Sequence, residues 1–86
     1  MIFIVESNSV PGADRAAVQG EEYPIIEQLR ADGFFRDIFV RDDGVGAISV
    51  VDALSEQEVR NTLATLPFVK GGLVRIASVI EVKSRW

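Results

Sequence analysis

The chain contains no cysteine and no histidine. Those two absences remove disulfides, thiol nucleophiles, serine–histidine–aspartate triads and ordinary zinc sites. Positive charge is scarce as well: thirteen acids face nine bases, seven of them arginine, for a net charge of −4. An acidic chain without a basic stripe does not suit nucleic acid, because phosphate neutralisation supplies most of that affinity. Long apolar runs are missing too. The opening stretch Met1–Val5 stops at Glu6, short of a signal-peptide core and far short of the ~20 residues that span a bilayer. The expected setting is therefore the cytoplasm, with neither nucleic acid nor membrane as partner. No glycine-rich phosphate loop, nucleophile elbow or EF-hand loop occurs. Asp42, Asp43 and Asp52 are too sparse for a calcium site and stand where turns already account for them, so no metal is expected.

What is present is a globular composition, 86 residues with 48% hydrophobic and 26% charged, too apolar for disorder and sized for one domain over 1–86. The β-branched run Ile2–Val5 predicts a strand, and Asn8 to Gly12 a turn. Val18, Glu22, Ile25, Ile26 and Leu29 recur at helical spacing between about Ala13 and Asp32. Gly20 and Pro24 disturb that helix, so it is expected to kink near Gly20-Glu21 or to restart at Glu22 with Pro24 in its first turn. Gly33 reads as its left-handed terminator. Phe34–Arg41 and Val45–Val51 predict two strands joined at Asp42-Asp43-Gly44. Ser55 and Glu58 form a capping box before Val59, Leu63 and Leu66, a second helix that Pro67 stops. A last strand runs from Leu73 to Val82, leaving the tail Lys83–Trp86. The order β-α-β-β-α-β is an α+β, ferredoxin-like plan with an antiparallel four-stranded sheet.

Both faces of these strands are largely apolar. Phe3 and Val5 oppose Ile2 and Ile4, while Val45, Ala47 and Val51 oppose Ile48 and Val50. Two helices cover one face only, so a second copy is expected to cover the other, in a homodimer or a ring of dimers. The terminal Trp86 is expected to lie across that neighbour.

The polar residues on so apolar a sheet are the candidate site. Strand parity places Phe35, Asp37, Phe39 and Arg41 on one face, two rings alternating with a carboxylate and a guanidinium, suited to lining a ligand pocket. The rings would exclude water from the carboxylate between them, and Arg41 would pair with it. The competing account is an edge-strand ion pair with packed aromatics. Glu6 joins that face through the parity Ile2, Ile4, Glu6, or is a solvated strand end. Glu22 falls on the apolar stripe of the first helix. A carboxylate there is either buried and poised as a general base or merely at the rim.

Met1-Ile2-Phe3-Ile4-Val5, Leu29 to Arg36, Ser49-Val50-Val51-Asp52 and, most specifically, Thr62-Leu63-Ala64-Thr65-Leu66-Pro67-Phe68 carry a family likeness. The whole chain resembles the muconolactone isomerase-like branch of the dimeric α+β barrel proteins. The resemblance implies two ferredoxin-like chains packed sheet to sheet, with a ligand pocket between sheet and helices or inside the barrel. It also implies a cofactor-free proton shift in a small unsaturated lactone or carbonyl compound. Of the family's polar groups, the glutamate of the first helix aligns with Glu22 and the nearby lysine with Gln19. Strand histidines give way to Ile4 and Asp37. Glu22 is thus the expected proton carrier, with Asp37 as a substituted candidate that orients the ligand alongside Phe35, Phe39, Arg41 and Glu6. A non-catalytic ligand-binding or assembly protein on the same barrel is the alternative, ahead of a cofactor-independent monooxygenase.

Overall fold

A computed structural model describes all residues, 1–86. Strand β1 (Ile2–Ser9) leads through a 3-10 turn (Arg15–Ala17) into helix α1 (Gln19–Ala31). Strands β2 (Phe35–Val40) and β3 (Gly46–Asp52) follow, then helices α2 (Glu56–Leu63) and α3 (Pro67–Lys70), and strand β4 (Val74–Val82). The sheet order is β2-β3-β1-β4 and every neighbouring pair is antiparallel, as the element order requires. No helix is long and apolar enough to cross a membrane.

Strand β1 outruns its sequence signal by four residues. It lies between β3 and β4, and ladders on both sides hold even the turn-forming Asn8 and Ser9 extended. A register shift against β4 between Glu6 and Ser7 marks a bulge. Opposite it, β3 opens on Gly46, where a Cβ would stand 1.9 Å from the Ser7 carbonyl oxygen. Only glycine lets the two backbones come that close.

Helix α1 begins at Gln19 rather than restarting at Glu22, so Pro24 lies in its second turn. The ring removes the bond that its amide would make to Gly20, but both residues are exposed and solvent can take the freed carbonyl. Gly33 ends the helix region at φ 88°. Asp43 fixes the β2–β3 hairpin by accepting from the Val45 amide at 3.1 Å and from Arg41 at 2.6 Å. The first of those bonds does most to hold its carboxyl below the ordinary carboxylate value. At α2, Ser55 Oγ accepts from the Glu58 amide at 3.1 Å. Glu58 reaches back to the Leu54 amide at 2.8 Å, one residue before the cap. Pro67 both stops α2 and opens α3, where its missing N–H costs nothing in the first turn.

The core is a single apolar layer between sheet and helices: Phe3 and Val5 of β1, Val51 of β3, Phe34, Phe35, Ala53, Val59, Leu63 and Leu66. Phe34 and Phe35 meet edge to face with ring centres 5.0 Å apart. Ile25, Ile26 and Leu29 close the layer from α1. The other side of the sheet has no cover within the chain. The tail leaves the fold, with Trp86 fully exposed beside the Arg85 guanidinium.

Candidate functional site

A cleft of about 940 Å³ opens between the sheet and the helices. Its floor is the helix-facing side of all four strands, including Val5, Phe35, Ile38, Ser49 and Ile76. Glu22, Tyr23 and Ile26 of α1 form one wall, and Leu63, Leu66 and Phe68 form another. The volume suits a small organic molecule held mainly by apolar contact, with a few polar groups to orient it.

Glu22 is the charged group set deepest in this cleft, at 3% exposed. The helical stripe that carries Ile26 and Leu29 points it inward. Its Oε1 accepts from the Phe68 amide at 2.9 Å, so a carboxylate from α1 caps the start of α3 across 46 residues of sequence. The Oε2 atom has no partner within the chain and lines the cleft. Burial raises the Glu22 pKa above its ordinary 4.5, and the Phe68 hydrogen bond offsets only part of that rise. The same cleft is lined by Ser49, buried in the floor, and by Ser7 and Ser9 along β1. Ser7 donates to the Ala47 carbonyl at 3.3 Å, whereas Ser9 Oγ is shielded and unpartnered. Gln19 donates to the Tyr23 hydroxyl at the mouth. No group of three or more acidic, histidine or cysteine side chains is placed to hold a metal ion.

The strand residues expected to share one pocket are divided between two faces. Phe35 pairs with Val51, but Asp37 pairs with Val50, so Arg36 is an extra residue in β2. That bulge reverses the alternation. Phe35 therefore lines the cleft together with Ile38 and Val40, and Asp37 and Phe39 fall into the rows of the uncovered face. Asp37 does not lie between two rings, and it does not line the cleft that holds Glu22. Its Oδ1 accepts from the Ile38 amide at 2.9 Å, at an exposed edge strand. Arg41 does not pair with it. The guanidinium donates instead to Asn8 at 2.8 Å and to Asp43 at 2.6 Å. Glu6 lies on the uncovered face as its parity implies, in a row with Ile48 and Phe39. Of the six candidate residues, the structure brings only Glu22 and Phe35 to the cleft.

The sequence reading passed over the serines. Ser49 carries the one usable signal, a hydroxyl on the strand face otherwise given by Val45, Ala47 and Val51. Ser9 gave none, because it lay in a predicted turn.

The chain matches no family model, and no characterised protein matches it by sequence. Among solved structures it is similar to the 5-chloro-2-hydroxyhydroquinone dehydrochlorinase TftG from Burkholderia phenoliruptrix AC1100, in complex with 2,5-dihydroxybenzoquinone. The TM-score is 0.74 at 24% identity, over 98% of this chain and 94% of that one. The two chains share a fold along nearly their whole length. At that identity the likeness carries the fold and no more.

Proposed function

We propose that this protein is a small-molecule enzyme that moves a proton at carbon, isomerising or cyclising a small unsaturated lactone or carbonyl compound without an organic cofactor. The observation that carries the reading is Glu22, a buried carboxylate on the wall of a cleft, fixed through one oxygen and free at the other. The Phe68 amide holds Oε1, so the ring of rotamers open to a surface glutamate is closed and Oε2 keeps one direction. Burial brings its pKa nearer to neutral working pH, which makes it a better-matched base for a carbon acid. In the step, Oε2 takes a proton from the carbon next to the carbonyl, and the C–H electron pair moves into the carbonyl system as an enolate. The carboxylic acid so formed returns the proton to a different carbon of the same molecule, and Glu22 is regenerated. The apolar floor and walls, with Phe35, Ile38 and Leu63 among them, keep water from trapping the intermediate.

The shared fold supports this reading at a coarser level, since TftG is a dehydrochlorinase of an oxygenated ring. Loss of hydrogen chloride, as a reaction, also requires a proton to leave its substrate. A second reading rests on the same hydrogen bond: Glu22 as the cap of α3 in a ligand-binding protein without chemistry. Deuterium exchange separates the two. Small unsaturated lactones and enones incubated in D2O with the wild type should incorporate deuterium, followed by NMR. Glu22→Gln should lower the rate by roughly 10²–10⁴-fold. No incorporation above buffer across the panel, or an unchanged rate in the variant, would overturn the enzymatic reading and leave the binding one.

The assembly belongs to the same proposal. Ile4, Ile48, Val50, Phe39 and Ile80 lie on the sheet face that no element covers, with Phe39 55% and Ile80 54% exposed. Only 11 of the 86 residues are buried, a thin core for a free-standing chain. A second copy laid against that face, as a homodimer or a ring of dimers, would remove this surface from water.

A further inference from the structure

Ser49 is 8% exposed and stands in β3 beside Val5 of β1 and Ile38 of β2. The other buried residues of that floor, Phe3, Val5, Phe35 and Val51, are all apolar. Alanine would fill the position with no polar group to satisfy. Ser49 nevertheless puts a hydroxyl there, and the chain supplies it no hydrogen-bond partner while the cleft lies open above it. Farther along β1, Ser9 Oγ is also unpartnered, but it is closed off from the cleft and offers a ligand nothing. Ser7, between the two along the seam of β1 and β3, is already committed to Ala47. Ser49 Oγ is reached from the open cleft, so a bound molecule that displaces the water there must supply the hydroxyl's partner itself or leave it unsatisfied at a cost.

The charges around the cleft restrict what that molecule is. Glu22 is buried, and the other charged side chains of the lining, Asp14, Arg15 and Glu27, are exposed at its mouth. No cation reaches the floor. A carboxylate or phosphate seated there would lose its water without a counter-ion and would face the Glu22 carboxylate. An uncharged hydroxyl or carbonyl oxygen meets neither penalty, and a serine hydroxyl both donates to and accepts from such groups.

Building on the reading of the cleft as a substrate site, we infer that Ser49 anchors the ligand and that the ligand is uncharged where it meets the floor. It is a small unsaturated compound presenting a hydroxyl or carbonyl oxygen to Ser49. Ser49 is a positioning residue: it orients the molecule, and Glu22 moves the proton.

Phenol and benzoate test this as rings of matched size that differ in charge at neutral pH. Each is titrated into wild type and Ser49→Ala, and binding is read from amide shifts in NMR spectra. Phenol should perturb amides around Ser49, Val5 and Ile38, and benzoate should bind at least ~10-fold more weakly. Ser49→Ala should weaken phenol binding by roughly three- to tenfold. It should also leave Tm unchanged or raise it, because the hydroxyl it removes has no partner to lose. Phenol affinity unchanged by Ser49→Ala would overturn the anchoring role whatever the Tm. Benzoate binding as tightly as phenol would overturn the uncharged ligand, and no phenol-induced shift at the cleft would overturn both. The readout is binding and not turnover, so failure here leaves the Glu22 assignment standing. An exchange rate unaffected by Glu22→Gln likewise leaves this one standing.

Discussion

Replacing Glu22 by glutamine and, separately, by alanine divides what its charge does from what its hydrogen bond does. Glutamine keeps an oxygen to accept from the Phe68 amide, 2.9 Å from Oε1 in the wild type. Alanine leaves that part-buried amide without a partner, a loss of about 1–3 kcal/mol, and removes packing in the same direction. A change of 1 kcal/mol moves the Tm of a domain this size by about 4–8 °C. The alanine variant should therefore melt at least ~4 °C below the glutamine variant. Charge adds a dependence on pH. Burial raises the folded-state pKa of Glu22 above 4.5, so the folded chain holds that proton more tightly than the unfolded one. The stability this confers is full below pH 4.5 and is lost as pH rises through the folded-state value. Wild type should thus lose stability relative to Glu22→Gln across that window. The two should be alike below it, and the glutamine variant should be the more stable at neutral pH. Thermal unfolding followed by circular dichroism over a pH series measures both effects. Equal melting of the alanine and glutamine variants would refute the cap on α3. A wild-type curve parallel to that of Glu22→Gln through the window would refute burial as the dominant influence on the carboxyl.

Four further outcomes follow from the backbone, the α2 cap and the uncovered face. Gly46→Ala should destabilise by ~2 kcal/mol or more, because its methyl would stand 1.9 Å from the Ser7 carbonyl, and urea unfolding measures the loss. Gly20→Ala meets open space inside α1 and should stabilise by about 0.5–1 kcal/mol in the same assay. Ser55→Ala removes the α2 cap and should cost about 1 kcal/mol, read as a fall in Tm. Sedimentation equilibrium should give an oligomer for the wild type, burying more than ~1,000 Å² at the sheet face, and a monomer for Ile80→Glu. A folded wild-type species of 9.4 kDa at micromolar concentration would refute the assembly.

The four strands and the two longer helices were legible in the residues because each depends on local chemistry, whereas the short α3 was not. Asp43-Gly44 turns a hairpin, Ser55 and Glu58 cap a helix, and Gly33 takes the left-handed geometry that ends one. The two apolar faces were legible for the same reason, since alternation is a property of a single strand. Glu22 was readable as an inward-facing carboxylate from its place on the stripe of α1. What it meets there was not, because Phe68 reaches it only once α3 has docked against α1. Simple alternation also misplaced the site on β2. One unpaired residue, Arg36, carries Phe35 to the cleft and sends Asp37 and Phe39 to the opposite face. No residue in Phe35–Arg41 announces that bulge, which arises from how β2 registers against β3. Local preference set the elements, and the register between distant strands decided which side chains share a cavity.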